Sequence, residues 1–281
     1  MTANADVTSA NTVGFQTITV PADTWVMCAT PFSEIGGQPF DLQNLISGMP
    51  TATAATGLGD GWKATKPQIQ IQKRNADGDV TGTGYDMAYW ISNAQNNPAN
   101  TKDNETGWAN GSKQHIGKKA AAIKLEPGTA YWFKDPNQEN VLTFAGQVVD
   151  QTAPKVTVPA DTWQMICNPF PVAIELNSVK FTIDAVATAA TGLGDGWKAT
   201  KPQIQIQKRN AAGQVTGTGY DMAYWISNAQ NNPANTKDTE TGWANGSKQH
   251  IGKKAAAITI PSGAGFWFKN PNGETVVEFA L

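Results

Sequence analysis

The sequence predicts an all-β protein built from two tandem homologous domains of the β-sandwich or barrel type. Residues 52–123 recur almost unchanged at 187–258, with three differences: Asp77/Ala212, Asp79/Gln214 and Asn104/Thr239. A repeat of this length is a whole domain, because the units of solenoid proteins are only about 20–50 residues long. Within each copy, short stretches of alternating apolar and polar residues are separated by glycine and proline, which is typical of sandwiches and barrels.

The repeats extend beyond the near-identical segment. Residues 18–25 match 156–163, and residues 130–134 match 265–269. We therefore expect an N-terminal arm at 1–12, a first β domain at 13–149, a linker at 150–153 and a second β domain at 154–281. A linker this short restricts the relative movement of the domains.

The alternation of apolar and polar residues predicts the positions of the strands along the chain. Ile69 and Ile71 face away from the polar residues between and around them, so this segment is predicted to be a strand. Residues 75–78 and 210–213 have the composition of hairpin turns, with a glycine for the left-handed position. In the next strand Tyr85, Met87, Tyr89 and Ile91 share one face. Later strands are predicted at 121–125, 130–134, 141–149 and 276–281, and a short helix near 41–47.

Charge and hydropathy exclude several classes of partner. The net charge of −2 and a pI near 5.7 provide no basic surface for nucleic acid or anionic membrane. No apolar run approaches the roughly 18 residues that span a bilayer. The start of the chain has no signal-peptide pattern and resembles the N-terminus of a mature secreted protein. We therefore expect an extracellular or cell-surface protein that binds no nucleic acid and does not insert into a membrane.

Several motifs at the ends of the repeats resemble a known family. They are NTVGFQTITVP at 11–21, WQMICNPFP at 163–171, IELN at 174–177 and GAGFWFK at 263–269. They resemble uncharacterised secreted proteins common in Verrucomicrobia and related bacteria, in which VGY-x-T-x-TVPAG, NPFP, GxGFWxK and TFAGQV bracket a β-rich domain. The resemblance covers the frame of both repeats, not the near-identical middle, and it transfers no catalytic residue. It implies a secreted or cell-surface bacterial β protein.

The two cysteines, Cys28 and Cys167, lie in equivalent strands but one position out of step. Because side chains alternate along a strand, this shift turns the two thiols toward opposite faces. We expect buried free thiols, with a disulfide between domains or subunits as the alternative. No CxxC motif or Cys/His cluster indicates a metal or redox site.

No catalytic motif is present, and we predict that the protein is not an enzyme. His115 and His250 are the only histidines, and the proximity of Ser112 in sequence does not make a triad. No cofactor is predicted; among metal ions calcium is the favoured candidate, because it prefers carboxylate and carbonyl oxygens in loops. The second copy lacks both carboxylates of the Asn75–Asp79 turn, so a shared calcium site there is rejected. Other carboxylates remain as alternatives: Asp60/Asp195, Asp86/Asp221, Asp103/Asp238 and Glu105/Glu240.

The leading functional prediction is a non-enzymatic structural protein, a subunit of a self-assembling surface fibre or layer. Duplicated domains suit head-to-tail contacts that build open filaments. The segment after the polar arm is strand-like and suited to adding to the sheet edge of a neighbouring copy. The residues assigned to this assembly role are Val13, Phe15, Thr17, Ile18 and Val20.

The alternative prediction is a two-site carbohydrate-binding module. The ten tryptophans form five matched pairs, and two of these pairs lie in glycine-rich or asparagine-rich stretches. Exposed tryptophans there would stack on sugar rings, and two equivalent sites would give avidity. The residues assigned to this ligand-binding role are Trp62, Asp60, Trp108, Asn110, Trp197, Asp195, Trp243 and Asn245. The pairs Trp25/Trp163 and Trp132/Trp267 are predicted to be core.

Overall fold

The computed structural model describes residues 13–45, 48–54, 60–75, 80–92, 106–110, 123–148, 155–190, 195–229, 241–246 and 258–280. The chain is all-β in these ranges, which contain β-strands and short 3-10 helices but no α-helix. The predicted N-terminal arm and linker lie outside the described residues. The 3-10 helices are Leu42–Asn44, Asp60–Thr65 and Asp195–Thr200.

The first repeat forms a five-stranded sheet, a three-stranded sheet and a two-stranded sheet. Its strands are β1 (Val13–Val20), β2 (Val26–Ala29), β3 (Phe32–Ser33), β4 (Phe40–Asp41), β5 (Gln68–Arg74), β6 (Val80–Ile91), β7 (Gly107–Ala109), β8 (Lys124–Leu125), β9 (Ala130–Lys134) and β10 (Asn140–Val148). One sheet has the order β2-β9-β5-β6-β7 and the other the order β1-β10-β3, while β4 and β8 form a separate pair.

The second repeat has a similar plan, but its small sheet takes its third strand from a later segment and its large sheet has one additional strand. Its strands are β11 (Lys155–Val158), β12 (Gln164–Cys167), β13 (Ile174–Glu175), β14 (Phe181–Ile183), β15 (Thr188–Ala190), β16 (Gln203–Arg209), β17 (Val215–Ala229), β18 (Gly242–Ala244), β19 (Thr259–Ile260), β20 (Gly265–Lys269) and β21 (Thr275–Phe279). The large sheet has the order β12-β20-β16-β17-β15, with β18 also on β17. The smaller sheets are β11-β21-β14 and β13-β19.

Each repeat is sandwich-like, because its large sheet and its three-stranded sheet enclose one apolar core. In the first repeat Ile69 and Phe133 from the large sheet pack with Leu142 and Phe144 from the small sheet. Ile204, Phe268, Val277 and Phe279 do the same in the second repeat. Ile69 and Ile71 are predicted to share one face of their strand, and so are Val277 and Phe279. Both predictions are confirmed, since all four side chains are buried.

Two local predictions, one hairpin turn and one short helix, are also confirmed. The 210–213 turn joins the antiparallel strands β16 and β17, and Gly213 has a φ of +79° there, a conformation that only glycine adopts at no steric cost. The equivalent turn of the first repeat lies partly outside the described residues. The helix expected near 41–47 is the 3-10 helix Leu42–Asn44, which the Asp41 side chain caps by accepting from the Gln43 N–H at 2.9 Å.

The two repeats contact each other through the edge strands of their large sheets. The side chain of Gln207 spans the edge of β2: its Oε1 accepts from Met27 N at 2.8 Å and its Nε2 donates to Trp25 O at 2.7 Å. The side chain of Gln72 does the same for β12, with Met165 N at 2.6 Å and Trp163 O at 2.8 Å. These bonds satisfy backbone groups that an edge strand leaves open.

Turns and apolar side chains complete this contact. Ala29 N donates to Gly263 O at 2.9 Å, and Cys167 N donates to Gly128 O at 3.3 Å. Met27, Ala29 and Ala130 of the first repeat form one buried cluster with Met165 and Cys167 of the second. In addition, Val215 at the start of β17 belongs to the core of the first repeat. The hairpin of the second repeat therefore reaches across the boundary.

One glycine permits this close approach. Gly265 occupies the position of Ala130 in the other repeat, and a Cβ on Gly265 would lie 2.6 Å from both Ala130 Cβ and Met27 Cγ. Two methyl groups therefore do not fit at this point of the contact.

We predict that Gly265→Ala lowers the free energy of unfolding by about 1–3 kcal/mol, the usual cost of overpacking. The exchange Ala130→Gly/Gly265→Ala removes one of the two clashes and should recover part of that loss. Chemical denaturation followed by tryptophan fluorescence measures both. Gly196→Ala is the control, since a Cβ there meets nothing within 4 Å. Unchanged stability of Gly265→Ala would contradict the packing described here.

Candidate ligand-binding clefts between the repeats

The tryptophans predicted to bind sugar are buried. Trp108 lies on β7 and Trp243 on β18, with exposures of 0% and 1%. The Trp108 Nε1–H donates to Leu45 O at 3.0 Å, and its ring packs on Phe133 with the centroids 6.3 Å apart. The prediction that these rings are exposed is wrong, because the strands that carry them close the core of each sandwich.

Trp62 and Trp197 are also enclosed, with 4% of each side chain exposed. They lie in the matched 3-10 helices and pack edge-on against Tyr89 and Tyr224, with centroids 5.1 and 5.2 Å apart. The other residues assigned to this predicted site do not complete a cleft around them. Asn110 and Asn245 are half-buried at the ends of β7 and β18, and the side chains of Asp60 and Asp195 lie outside the described part of the structure.

The residues assigned to assembly lie on β1, which pairs with β10 of its own repeat along its whole length. Ile18 and Val20 are buried in the core of the first repeat, whereas Val13 and Phe15 are 63% and 68% exposed. Thr17 is also exposed. Donation of the whole strand to a neighbour would therefore remove two side chains from this core.

Two clefts lie at the contact between the repeats, and they are lined by different tryptophans. The first has a volume of about 410 Å³ and the second about 480 Å³. The first is lined by Asp23, Thr24, Trp25, Gln70 and Trp132 of the first repeat and by Gln207, Gly217, Thr218 and Tyr220 of the second. The second is lined by Asp161, Thr162, Trp163, Gln205 and Trp267 of the second repeat and by Gln72, Gly82 and Tyr85 of the first.

The two clefts have equivalent linings. Every residue that lines the second cleft has its repeat counterpart in the first, so each cleft combines the Trp pair of one repeat with the hairpin of the other. Trp25, Trp132, Trp163 and Trp267 are only half-buried. The prediction that they are core residues is therefore wrong, because their strands face the other repeat and not the interior of their own sandwich.

The four tryptophans form a continuous row that joins the clefts. The centroids of Trp25 and Trp132 are 6.5 Å apart, and those of Trp163 and Trp267 are 6.4 Å apart, both in edge-on geometry. Trp132 and Trp267 meet across the repeat boundary at 6.4 Å. Such contacts fix the rings in place, so the aromatic surface of each cleft is preformed.

One ion pair lies at each cleft. Lys134 Nζ is 2.6 Å from Asp23 Oδ1 and lies 6.0 Å from the centroid of the Trp25 ring. Lys269 has the same relation to Asp161 and to Trp163, at the same distances.

The two aspartates also have an unusual backbone. Asp23 and Asp161 have φ values of +54° and +53°, and no other non-glycine residue in the described ranges has a positive φ. Their N–H groups donate to Asp135 O and Asn270 O, each at 2.8 Å, which holds this left-handed conformation. Such backbone strain is concentrated at functional sites.

The tyrosines at the clefts are neutral hydrogen-bonding groups. Burial raises the pKa of Tyr85, and burial together with the nearby Tyr85 raises the pKa of Tyr220. Both phenols therefore keep their proton at physiological pH and can donate as well as accept a hydrogen bond.

The cysteines lie beside the clefts but do not line them. Both are free and buried. Cys28 belongs to the core of the first repeat, whereas Cys167 belongs to the cluster between the repeats, so the predicted reversal of faces is confirmed. Burial raises the pKa of each thiol to about 12. The charge of Arg209 offsets this in part for Cys28, and a backbone hydrogen bond with Gly128 and the charge of Arg74 do so for Cys167.

Metal ligands do not converge in the described part of the chain, where no group of three or more His, Cys, Asp or Glu side chains comes together. In the 210–214 turn Asn210 Oδ1 accepts from Ala212 N and Gln214 N, both at 3.0 Å. Asp86 and Asp221 are exposed. The remaining calcium candidates, both histidines and Ser112 lie outside the described residues, apart from the backbone of Asp60 and Asp195.

Sequence reasoning missed Gln70, Gln72, Gln205 and Gln207 as site residues. Their alternation with isoleucines was visible, and it placed them together on one face of the strand. An amide-rich face with an arginine at its end is a signal for a polar contact, but it does not say what the contact is.

Comparison with protein-family models, curated proteins and solved structures gave no match to this chain. Among the described residues, no helix has the length and apolar character needed to cross a membrane. The assignment of a function therefore depends on the geometry of the clefts.

We predict that both thiols resist Ellman's reagent in the native protein from pH 8 to pH 10, because a pKa of about 12 leaves almost no thiolate in this range. An exposed cysteine, with a pKa near 8.5, would become fully reactive over the same range. In denaturant without reductant, two thiols per chain should react. Rapid labelling of the native protein, or labelling that requires prior reduction, would contradict this.

Proposed function

We propose that the protein binds carbohydrate, without catalysing a reaction, through the two clefts between its repeats. The observation that carries the proposal is the repeated lining: each cleft combines two half-buried tryptophans with a tyrosine, two glutamines and at least one threonine. Ligand sites generally combine apolar and aromatic walls with a few placed polar groups.

The chemistry of the lining fits a sugar. The apolar face of a pyranose ring stacks on an aromatic side chain, while its hydroxyl groups pair with amides and hydroxyls. Trp25 and Trp163 each have a lysine near the ring, so a ligand would share these rings with the cation. Trp132 and Trp267 extend the aromatic surface toward the repeat boundary.

The clefts support binding better than hydrolysis. Most glycosidases use two carboxyl groups on opposite sides of the scissile bond. The described lining of each cleft includes one carboxylate, Asp23 or Asp161, and a lysine holds it in an ion pair.

Two equivalent sites on one chain suit a polymeric ligand. When two sites bind the same polymer, the second binding event is intramolecular, which raises the apparent affinity without any new contact. Together with the resemblance of the repeat frame to secreted bacterial proteins, this supports a role outside the cell or at its surface.

We predict that Trp25→Ala and Trp163→Ala each remove one of two binding sites, and that the double variant loses binding. The physical reason is the loss of the stacking surface, which costs at least about tenfold in affinity, or roughly 1.4 kcal/mol. A glycan array identifies the ligand, and titration calorimetry gives the stoichiometry.

The control for this series is Phe15→Ala, which removes an exposed aromatic ring far from the clefts in sequence. Circular dichroism checks that every variant is folded. The proposal fails if a broad array gives no signal, or if the double variant binds as well as the unchanged protein.

A second candidate function is a subunit of a self-assembling surface fibre or layer. The observation that favours it is strand β1, which pairs with β10 and with no other described strand. Val13 and Phe15 are exposed on it, and Val141 on β10 is 43% exposed. An open, apolar strand edge is a template for pairing with another copy.

For this candidate we expect Phe15→Lys to abolish self-association, because a charge on an edge strand opposes edge-to-edge pairing. Sedimentation velocity and negative-stain microscopy over a range of protein concentrations measure the effect. Thr157→Lys, on the edge strand β11 of the second repeat, is the matched control. Dispersed monomers of the unchanged protein under all conditions would exclude this function.

A further inference from the structure

The charged groups at each cleft cancel one another. Asp23 carries the one carboxylate in the described lining of the first cleft, and Lys134 pairs with it at 2.6 Å. Asp161 and Lys269 repeat this pair at the second cleft. Because both copies keep the pair, the described lining of each cleft and its lysine together carry no net charge.

The remaining described polar groups in the lining are uncharged. In the first cleft they are the side chains of Thr24, Gln70, Gln207, Thr218 and Tyr220. Gln207 already uses its amide on the edge of β2. Tyr220 is neutral, since burial raises its pKa. The groups that face a ligand are therefore dipoles, which suit hydroxyls as both donors and acceptors.

An acidic sugar would meet an unfavourable site here. Its carboxylate or sulfate would lose hydration on entry, and the described lining offers no uncompensated cation to replace the lost water. Lys134 already pairs with Asp23, so an acidic group that approached this lysine would be repelled by the Asp23 carboxylate.

We propose that the two clefts select uncharged glycans and discriminate against those that carry uronate or sulfate groups. This inference rests on the proposed carbohydrate-binding function and adds the chemical class of the ligand.

The test uses pairs of oligosaccharides that differ only at carbon 6. Mannohexaose is compared with the β-1,4-linked mannuronate hexamer, and cellohexaose with its C6-oxidised counterpart, by calorimetry at low and high salt. For at least one pair, the neutral member should bind at least tenfold more tightly than the acidic one. Its affinity should change little with salt, because no exposed charge pairing contributes.

Matched variants test the role of the ion pairs. Asp23→Asn/Asp161→Asn leaves both lysines uncompensated, and asparagine tolerates the positive φ at these positions. This variant should gain affinity for the acidic hexamers relative to the neutral ones, and the gain should depend strongly on salt. Lys134→Met/Lys269→Met leaves each aspartate without its lysine. This variant should lower the affinity for the acidic hexamers further, because the carboxylates repel them.

The outcomes separate two failures. If the acidic hexamers bind the unchanged protein as tightly as the neutral ones, or more tightly, the clefts bind glycans and the charge inference is wrong. If neither class binds, and a broad array is also silent, the proposed function itself is wrong and this inference falls with it.

Discussion

The rest of this structure depends on two buried glutamine side chains that cross between the repeats. Gln72 and Gln207 are each 5% exposed, and each uses both ends of its amide on the backbone of an edge strand in the other repeat. A buried amide without partners would cost about 1–3 kcal/mol, so the contact has a narrow geometric tolerance. The bonds are reciprocal. Each repeat therefore covers one edge of the other's large sheet, at β2 in the first repeat and at β12 in the second.

This covering also creates the clefts. The hairpins that bring Gln72 and Gln207 across the boundary also bring Tyr85 and Tyr220 beside the tryptophans of the opposite repeat. A single repeat would provide the tryptophan wall but not the opposite wall with its tyrosine. Duplication therefore does more than double a site, since each site needs parts from both copies. Asp23, whose backbone is in the left-handed region, helps to position Lys134 in this arrangement. Its carboxylate pairs with this lysine, which lies near the Trp25 ring.

Much of the fold could be predicted from local patterns, but the site could not. Alternation identified Ile69 and Phe279 as core residues because strand periodicity decides which side chains share a face. Periodicity does not say what covers the second face. Trp132 and Gln72 lie on faces that the other repeat covers. The local sequence around each residue does not indicate which surface covers it. The glycine-rich context of Trp108 suggested an exposed loop, yet its segment forms the strand that closes the core.

The two repeats form one unit through the edges of their large sheets, and amide hydrogen exchange at Met27 and Met165 measures whether this contact persists in solution. Both N–H groups donate to a glutamine side chain of the other repeat. Both positions should exchange slowly, with protection close to that of interior strands such as β5 and β16. Rapid exchange at Met27 and Met165, comparable with that of an open edge strand, would contradict it.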